Sequence, residues 1–344
     1  MMQDVQDFLA FEITDISGAG EVRRSAVSLA QKLGFDEDDC SDLAIIAAEL
    51  ARNISLHAKA GKVLIRVLVG DVRGVELLAI DKGPGMQDVS RCMRDGYSTA
   101  GTSGTGLGAI SRLSSTFDIF SRPNEGTVIL SRLWPRAVKA RHLTDKGLEF
   151  GVIQIPKHGE TLCGDSHAIA HDGPCTVAIL ADGLGHGPLA HQASAEAIRL
   201  FHAHRDSDML HIMQTLHGGL RATRGAAVSL LECDMNTHRV RFIGVGNVAG
   251  YIVGDSTRTL ACGNGTVGHA MRKPTEFVYD WPANGLFIMH SDGLMTSWRL
   301  DAYPGLRERH CSTIAGVLYR DFDRGRDDVT VLVARPSRKE QPLA

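Results

Sequence analysis

Apolar residues recur at three- and four-residue spacing in two stretches near the start of the chain. This spacing predicts amphipathic helices over Gly20–Leu33 and from Asp39 to about His57. In the second helix the polar residues Glu49, Asn53 and His57 fall four apart along one face. Polar groups in so apolar a helix are costly to bury without partners, so this row faces either solvent or a ligand.

Short apolar runs bounded by turn residues predict strands in both halves of the chain. In the first half they are Val5–Thr14, Lys62–Val69, Val75–Ile80, Phe117–Ser121 and Thr127–Leu133. In the second half they are Val177–Ala181, Ala226–Glu232, Arg239–Val253, Glu276–Trp281, Gly285–Met289 and Val329–Ala334, with helices at about Leu189–His204 and Met209–Ala222. A basic stretch predicts a linker over 136–147, which separates a domain over 1–135 from one over 148–336, and the polar residues 337–344 form a tail.

Two glycine motifs follow the polar helix row. The strand ending at Ile80 runs into Asp81-Lys82-Gly83-Pro84-Gly85, and a later loop contains Gly104-Thr105-Gly106-Leu107-Gly108 just before a helix predicted from Ala109 to Ser115. Glycine-rich sequence that enters a helix can offer backbone N–H groups to a phosphate, although alone it is more often a flexible connector. It is neither a Walker A loop, because no Gly-Lys-Ser/Thr follows, nor a Rossmann loop, because no strand immediately precedes it.

Four carboxylates in the second half lie at strand ends. Asp182-Gly183 ends one apolar run, Asp292 ends another, Asp165 follows Cys163-Gly164, and Asp327 precedes the last strand. Acidic positions without paired cysteines or His-x-x-x-His suit Mg²⁺ or Mn²⁺ rather than zinc, and two such ions can promote attack of water on a phosphoryl group. For Asp182 alone, a plain strand-to-helix turn with the carboxylate as helix cap is an equally good interpretation.

Composition narrows the class of protein. A chain of 344 residues is comfortable for two domains, and a net charge of -3 gives no electrostatic footprint for nucleic acid. No apolar run reaches the length of about 20 residues that a membrane span needs, and the start of the chain does not resemble a signal peptide. Seven cysteines without Cys-x-x-Cys spacing indicate reduced thiols, so a cytoplasmic protein is expected. The histidines outside the motifs, among them His202 and His211, are interpreted as structural.

The first half resembles the GHKL (Bergerat-fold) ATPases, most closely the RsbT-like switch-protein kinases and anti-sigma factors. The resemblance rests on Glu49-x-x-x-Asn53, Asp81-x-Gly83-x-Gly85 and Gly104-x-Gly106-x-Gly108. It implies that ATP binds with Mg²⁺ at Asn53, that Asp81 accepts the adenine amino group, and that the glycine loop, with Thr105 and Leu107, covers the phosphates. Glu49 would be the general base of phosphoryl transfer.

The second half, from about Leu148 to Arg335, resembles the PPM-type serine/threonine phosphatases of the SpoIIE and RsbX branch. The matching motifs are Gly164-Asp165, Ala181-Asp182-Gly183, Ser291-Asp292-Gly293 and Asp327-Asp328-Val329-Thr330. The resemblance implies two Mn²⁺ or Mg²⁺ ions bridged by the catalytic residue Asp182. The Gly183 carbonyl and the carboxylates of Asp165, Asp292 and Asp327 would complete their shell, with Asp327 matched in preference to Asp328.

The two resemblances imply an α/β and α+β protein, in which a Bergerat-type α/β sandwich precedes a PPM-type αββα sandwich. The function they imply is that of a serine/threonine kinase and a metal-dependent phosphatase. Both would act on STAS-domain phosphoproteins of a partner-switching or stressosome-like pathway, with a sigma factor or another downstream regulator as a further partner. Two alternatives stay open for the first domain: a binding module without kinase activity, or an ATP sensor that regulates the phosphatase.

Overall fold

A computed structural model of the chain describes residues 8–70, 72–94, 106–136, 147–172 and 175–337. The chain divides into two compact units. The first comprises Met1–Leu143 together with Glu308–Arg320, and the second comprises Thr144–Arg307 and Asp321–Ala344. Among the described residues, no helix combines the length and the apolar character needed to cross a membrane.

The first unit is built on one antiparallel sheet of five strands in the order β1-β2-β3-β5-β4. These strands are β1 (Leu9–Ile13), β2 (Gly61–Leu68), β3 (Gly74–Asp81), β4 (Thr116–Ser121) and β5 (Thr127–Leu133). The helices from this part of the chain are α1 (Gly18–Lys32), α2 (Glu37–Asn53), α3 (Val89–Cys92) and α4 (Gly106–Leu113). A π-helical turn, Ile54–Ala58, continues α2, so the predicted helix reaches His57 as expected.

One face of this sheet packs against the helices. Val63, Leu77 and Ile129 share a buried core with Leu43 and Leu50 of α2. Asp36 caps α2 because its Oδ1 accepts a hydrogen bond from the Asp39 N–H at 2.7 Å. The alternation of inward residues along β2, β3 and β5 is what lets one sheet face bury an entire helical layer.

The opposite face of the sheet is covered by a segment from far along the chain. Helix α7 (Cys311–Phe322) is buried on nearly all sides, and its residues up to Arg320 belong to the first unit. Gly316 lies against β3 and β5, since a Cβ there would come within 2.8 Å of Val128 Cγ1 and 3.2 Å of Leu78 Cδ2. The sequence analysis did not predict this helix and left its residues within the second domain.

Buried charge joins α7 to the same sheet face. Glu76 of β3 is 2 % exposed and accepts hydrogen bonds from Arg66 Nε and Arg132 Nε, each at 2.6 Å. Ser312 Oγ donates to Glu76 Oε2 at 2.8 Å. Burial disfavours the ionised carboxylate, but the two guanidinium groups prevail and hold the pKa of Glu76 below its usual range.

The second unit contains two sheets. The first has the order β13-β10-β9-β8-β7, with β14 also paired to β10; its strands are β7 (Asp165–Asp172), β8 (Cys175–Gly183), β9 (Ala226–Asp234), β10 (Arg239–Val245), β13 (Cys262–Gly263) and β14 (Phe277–Asp280). The second has the order β12-β11-β15-β16-β6; its strands are β6 (Leu148–Ile155), β11 (Ala249–Val253), β12 (Thr257–Thr259), β15 (Leu286–His290) and β16 (Val329–Pro336).

Helices cover the first of these sheets. They are α5 (Pro188–His204) and α6 (Met209–Gly219), and they bury Phe201 and Met213 against Ile179 and Val228. The two sheets meet through aromatic rings, since Phe242 of β10 and Phe287 of β15 have centroids 6.3 Å apart. The predicted fold class, an α/β unit followed by an α+β unit of layered sheets and helices, is confirmed.

Two local predictions differ from the structure. The single strand predicted over Arg239–Val253 is two strands in different sheets, because the chain breaks at Gly246, where φ is +97° and a Cβ would lie 2.5 Å from Ala227 Cβ. Arg136, the first residue of the predicted linker, is bonded to α2. Its backbone N–H donates to Asp39 Oδ2 at 2.9 Å, and its guanidinium is paired with Asp42.

Candidate functional site

The candidate phosphatase site lies where strands from both sheets of the second unit end. Asp165 opens β7 and is the direct cross-strand partner of Asp182 near the end of β8. Asp292 follows β15, and Asp327 precedes β16. The fold therefore brings together the four carboxylates that the sequence analysis placed at strand ends.

Repulsion among these carboxylates shows how close they are. Burial, followed by the charges of Asp165, Asp292 and Asp327, raises the pKa of Asp182 well above its usual value. Burial also raises the pKa of Asp165 to about 7, and Ser291 opposes that rise by donating a hydrogen bond. The pKa of Asp292 is raised by burial and by Asp327. A bound divalent cation would favour the ionised forms of these carboxylates.

The donor set fits a hard divalent cation. In the described part of the chain, no three acidic, histidine or cysteine side chains are close enough to enclose one ion unaided. Carboxylate and carbonyl oxygens are the ligands that Mg²⁺ and Mn²⁺ prefer, and Mg²⁺ usually keeps several waters while binding through one or two carboxylates. Gly183 is indispensable beside Asp182 because a Cβ there would lie 2.1 Å from the Ala190 carbonyl oxygen.

Asp182 is not a helix cap. Helix α5 begins at Pro188, and its N-cap position is Gly187, which has φ +72° and no side chain. The Gly183 N–H instead donates to the Gly164 carbonyl at 3.1 Å, which ties the Asp182-Gly183 turn to the chain just before Asp165. The interpretation of Asp182 as a cap, open from the sequence alone, is therefore excluded.

Several polar residues that the sequence analysis did not select hold these carboxylates in place. Ser291 Oγ donates to Asp165 Oδ2 at 2.6 Å and accepts from the Thr330 N–H at 2.9 Å. Asn247 Nδ2 donates to Asp292 Oδ2 at 2.6 Å. Gln154 Nε2 donates to the Asp165 carbonyl at 3.1 Å. Ser291 and Thr330 stood inside recognised motifs, whereas Asn247 and Gln154 did not.

The two adjacent acids near the last strand have different surroundings. Asp328 is 3 % exposed, and its Oδ1 accepts a hydrogen bond from the Lys157 N–H at 2.9 Å. Asp327 is half-buried, and its Oδ1 accepts from the Asp328 N–H at 3.0 Å. Burial raises the pKa of Asp328. Asp328 is thus hydrogen-bonded to the backbone just after β6. Asp327 remains the residue that we predict to be the metal ligand.

A buried histidine supports the Asp292 loop from behind. His290 Nδ1 donates to the Ser291 carbonyl at 2.8 Å, and Trp298 Nε1 donates to His290 Nε2 at 3.2 Å. Burial lowers the pKa of His290 to about 4, so the ring is neutral at physiological pH. This fixes the tautomer that both hydrogen bonds require.

The candidate nucleotide site lies in the first unit, at the end of α2. Gly106 begins α4 directly against the polar row: a Cβ there would collide with the Glu49 carboxylate and lie 3.8 Å from Asn53 Oδ1. The Glu49 side chain is 25 % exposed and contacts Arg52 Nη1 at 3.5 Å. Glu49 and Asn53 therefore face Gly106 at the start of α4, whereas His57 is exposed.

Asp81 is held at the end of β3 with its carboxylate fixed by the backbone. Its Oδ1 accepts hydrogen bonds from the Gly83 N–H at 2.8 Å and the Thr127 N–H at 3.2 Å. Burial raises the pKa of Asp81, and the charges of Arg320 and His57 oppose that rise. His57 of the polar row and Arg320 of α7 are therefore both near this carboxylate.

Steric contacts explain why the other positions of this motif are glycine. Gly83 lies against Ala58, and Gly85, with φ +63°, would place a Cβ 1.9 Å from the Arg122 carbonyl oxygen. Leu107 and Gly108 lie in the first turn of α4 and are buried. Helix α4 begins at Gly106 and ends at Leu113, two to three residues earlier at each end than predicted. Gly104 and Thr105 lie outside the described residues.

The two halves match two protein families. Residues 14–132 match the histidine kinase-like ATPase domain, and residues 172–337 match the stage II sporulation protein E family (SpoIIE). The chain is 37% identical to the serine/threonine-protein kinase RsbT of Bacillus subtilis (strain 168) over 123 residues, which are 36% of this chain and 90% of RsbT. It is 29% identical to the phosphoserine phosphatase RsbX of the same organism over 150 residues, which are 42% of this chain and 73% of RsbX.

A solved structure is similar as well. It is described as the bacterial stressosome, a modular system that has been adapted to control secondary messenger signaling. The likeness has a TM-score of 0.52 and 27% sequence identity, and it covers 55% of this chain and 99% of that chain.

Proposed function

Because the first part of this chain belongs to the RsbT family of histidine kinase-like ATPases and its second part is a SpoIIE-type serine/threonine phosphatase domain, we propose that the protein is a bifunctional switch protein. In the proposal, residues 1–135 phosphorylate serine or threonine on one STAS-domain protein and residues 148–336 dephosphorylate another. The named relatives, a kinase and a phosphoserine phosphatase, support this pairing of activities.

The observation that carries the phosphatase half is the convergence of the buried Asp165 and the half-buried Asp292 and Asp327 around Asp182. Mutual repulsion and burial raise the pKa of Asp182, which a divalent cation would relieve. We assign the metal-holding role to the Gly183 carbonyl and to Asp165, Asp182, Asp292 and Asp327. Bound Mg²⁺ or Mn²⁺ would supply charge stabilisation and an activated water for phosphoryl transfer. Ser291 and Asn247 orient two of these carboxylates.

The kinase half rests on the polar row beside Gly106. Glu49 is positioned to accept the proton of an attacking hydroxyl, and Asn53 supplies an amide oxygen for Mg²⁺. Asp81 leaves one carboxylate oxygen for the adenine amino group, since its Oδ1 is occupied by two backbone N–H groups. The loop that contains Gly104, Thr105 and Gly106 would close over the phosphates, with Leu107 and Gly108 at its base.

One feature favours the second candidate function, an ATP sensor. Arg320 of α7 lies near Asp81 in the first unit, and the same helix continues covalently into the second unit. There the Phe322 carbonyl accepts from the Met295 N–H at 2.9 Å, and the Arg324 N–H donates to the Gly293 carbonyl at 3.0 Å, both in the loop that follows Asp292. In this second candidate function, nucleotide binding at Asp81 would change the loop after Asp292 through helix α7.

The test of the phosphatase assignment is Asp182→Asn. The change should eliminate metal-dependent release of phosphate from phosphoserine substrates, because it weakens the shared metal ligand, and it should leave ATP binding intact. The matched control is Asp234→Asn, which alters a carboxylate at the end of β9 that accepts hydrogen bonds from Asn236 and Thr237 in the following turn. Substantial metal-dependent hydrolysis by the Asp182 variant would contradict the assignment.

A further inference from the structure

Arg224 is an exposed cation at the border of the candidate phosphatase site that the assigned chemistry does not use. It lies in the turn before β9, and within the described part of the chain its guanidinium has no carboxylate partner. Ion-paired arginines are common elsewhere in the same unit, for example Arg241 with Glu232 and Glu276. An arginine without a carboxylate partner has its charge available for an anion.

The pairing of β8 with β9 places Arg224 close to the Asp182-Gly183 turn. Gly183 is the cross-strand partner of Ala226, and the Leu184 N–H continues the ladder by donating to the Gly225 carbonyl at 3.1 Å. One position further along the chain, Gly185 and Arg224 are also close together. A Cβ on Gly185 would lie 2.9 Å from Arg224 Nη1, so the guanidinium lies directly over the loop that follows Asp182-Gly183.

The turn that carries Arg224 is held in one conformation. The Gly225 N–H donates to Thr223 Oγ1 at 3.0 Å, and His269 Nε2 donates to the Thr223 carbonyl at 3.1 Å. Gly225 has φ +76°, and a Cβ there would lie 2.7 Å from the Val267 carbonyl oxygen. Because the backbone on both sides is fixed, the arginine is presented to the site with little of the entropy cost of ordering a loop.

Three exposed leucines surround the same place. Leu162, Leu184 and Leu189 are 40%, 43% and 51% exposed, and we call them the leucine rim. Leu162 precedes Cys163, Leu184 follows Gly183, and Leu189 lies in the first turn of α5. These segments come together where His191 Nδ1 donates to the Cys163 carbonyl at 2.9 Å and Ala190 packs against Gly183. Exposed apolar side chains grouped at a site border are typical of a surface that binds protein.

We propose that Arg224 binds the phosphate group of the substrate and that the leucine rim holds the polypeptide that carries it. The inference rests on the proposed phosphatase function and assigns its substrate recognition. A guanidinium matches phosphate oxygens in a bidentate geometry, which lysine does not reproduce. The occupant is a phosphoprotein because cation and apolar surface are adjacent: a small phosphate ester would use the first and leave the second exposed.

The test compares two substrates on the full chain with Mn²⁺: p-nitrophenyl phosphate, which carries no polypeptide, and phosphorylated casein. Arg224→Ala should raise KM for both substrates and weaken inhibition by inorganic phosphate, each by about tenfold, the loss expected for a charge-assisted hydrogen bond. Arg224→Lys should recover only part of this loss. Arg221→Ala, which removes a neighbouring exposed arginine, is the control and should change neither constant.

The leucine rim predicts a different pattern. Leu184→Ser and Leu189→Ser should raise KM for phosphorylated casein and leave KM for p-nitrophenyl phosphate unchanged. Val278→Ser is the matched control. Val278 is 55% exposed on β14, and in the strand order of the sheet β14 lies away from the Asp182-Gly183 turn at the end of β8. Equal constants for wild type and Arg224→Ala, or rim variants that behave like Val278→Ser, would overturn the inference. Failure of the wild type to hydrolyse either substrate would instead overturn the proposed function.

Discussion

At the scale of single residues, the candidate phosphatase site is built around two aspartates that lie opposite each other on neighbouring strands. Asp165 and Asp182 are cross-strand partners, and like charges in that arrangement destabilise a sheet. A hydrogen bond from Ser291 Oγ to Asp165 Oδ2 at 2.6 Å stabilises one member of the pair. A motif of Asp-Gly at a strand end predicted the acids, but not the residues that hold them.

Stability against pH should report this arrangement. The folded-state pKa of Asp165 is about 7 against 3.8 for the free side chain, so between these values the folded chain binds more protons than the unfolded chain. The metal-free protein should therefore lose stability as the pH rises through this window. Because a bound cation replaces those protons, Mn²⁺ should raise Tm more at pH above 7 than at about pH 5.

Thermal unfolding with and without Mn²⁺ across this pH range measures the effect. Asp165→Asn, which removes the titrating group, should flatten the metal-free pH dependence. A Tm that rises with pH in the metal-free wild type, or a Mn²⁺ effect of the same size at both ends of the range, would show that the carboxylates are not coupled in this way.

At the scale of secondary-structure elements, helix α7 is the largest difference between the structure and what the sequence predicts. Its buried residues include Cys311, Ser312, Tyr319 and Arg320 as well as the apolar ones, so polar and apolar positions are buried alike. It completes the first unit through Ser312 and Gly316 although the chain reaches it only after most of the second unit.

Glycine at 316 is expected to be irreplaceable. A Gly→Ala change inside a helix normally stabilises it by about 0.5–1 kcal/mol, and Gly218→Ala in α6, where nothing lies within 4 Å, should do so. Gly316→Ala should have the opposite sign and cost about 1–3 kcal/mol, because the added methyl overpacks the contact with Val128.

Denaturant or thermal unfolding of the two glycine variants side by side tests this contrast. Stabilisation by both substitutions would mean that α7 does not lie as close to the sheet as the structure has it.

The sequence predicts those elements whose evidence is local. Helix α2 has a regular apolar spacing and an acidic first turn, and β8 ends in an unmistakable Asp-Gly, so both were predicted close to their actual bounds. Helix α7 has no polar face, so periodicity could not reveal it. Asn247 and Gln154 became recognisable only through contacts 45 and 11 residues away, which no single stretch of sequence encodes.

At the scale of the whole molecule, the question is why an RsbT-like domain and a phosphatase domain share one chain. A kinase and a phosphatase that act on the same residue at equal rates would only hydrolyse ATP. We expect different phosphosites on related STAS proteins, because each half carries a full set of motif residues. Joining them also raises the local concentration of each activity around a shared assembly, to the millimolar range typical of short flexible linkers.

The measurement that tests this account most directly is site-resolved mass spectrometry of STAS-domain proteins incubated with ATP and Mn²⁺ and either Glu49→Ala or Asp182→Asn. The account predicts that Glu49→Ala stops phosphorylation of one STAS protein and leaves dephosphorylation of another intact, and that Asp182→Asn gives the reverse. A single residue on one protein that serves both activities would contradict the separate-site account. If Glu49→Ala changes only the phosphatase rate and no phosphotransfer occurs in the wild type, the ATP sensor replaces the kinase.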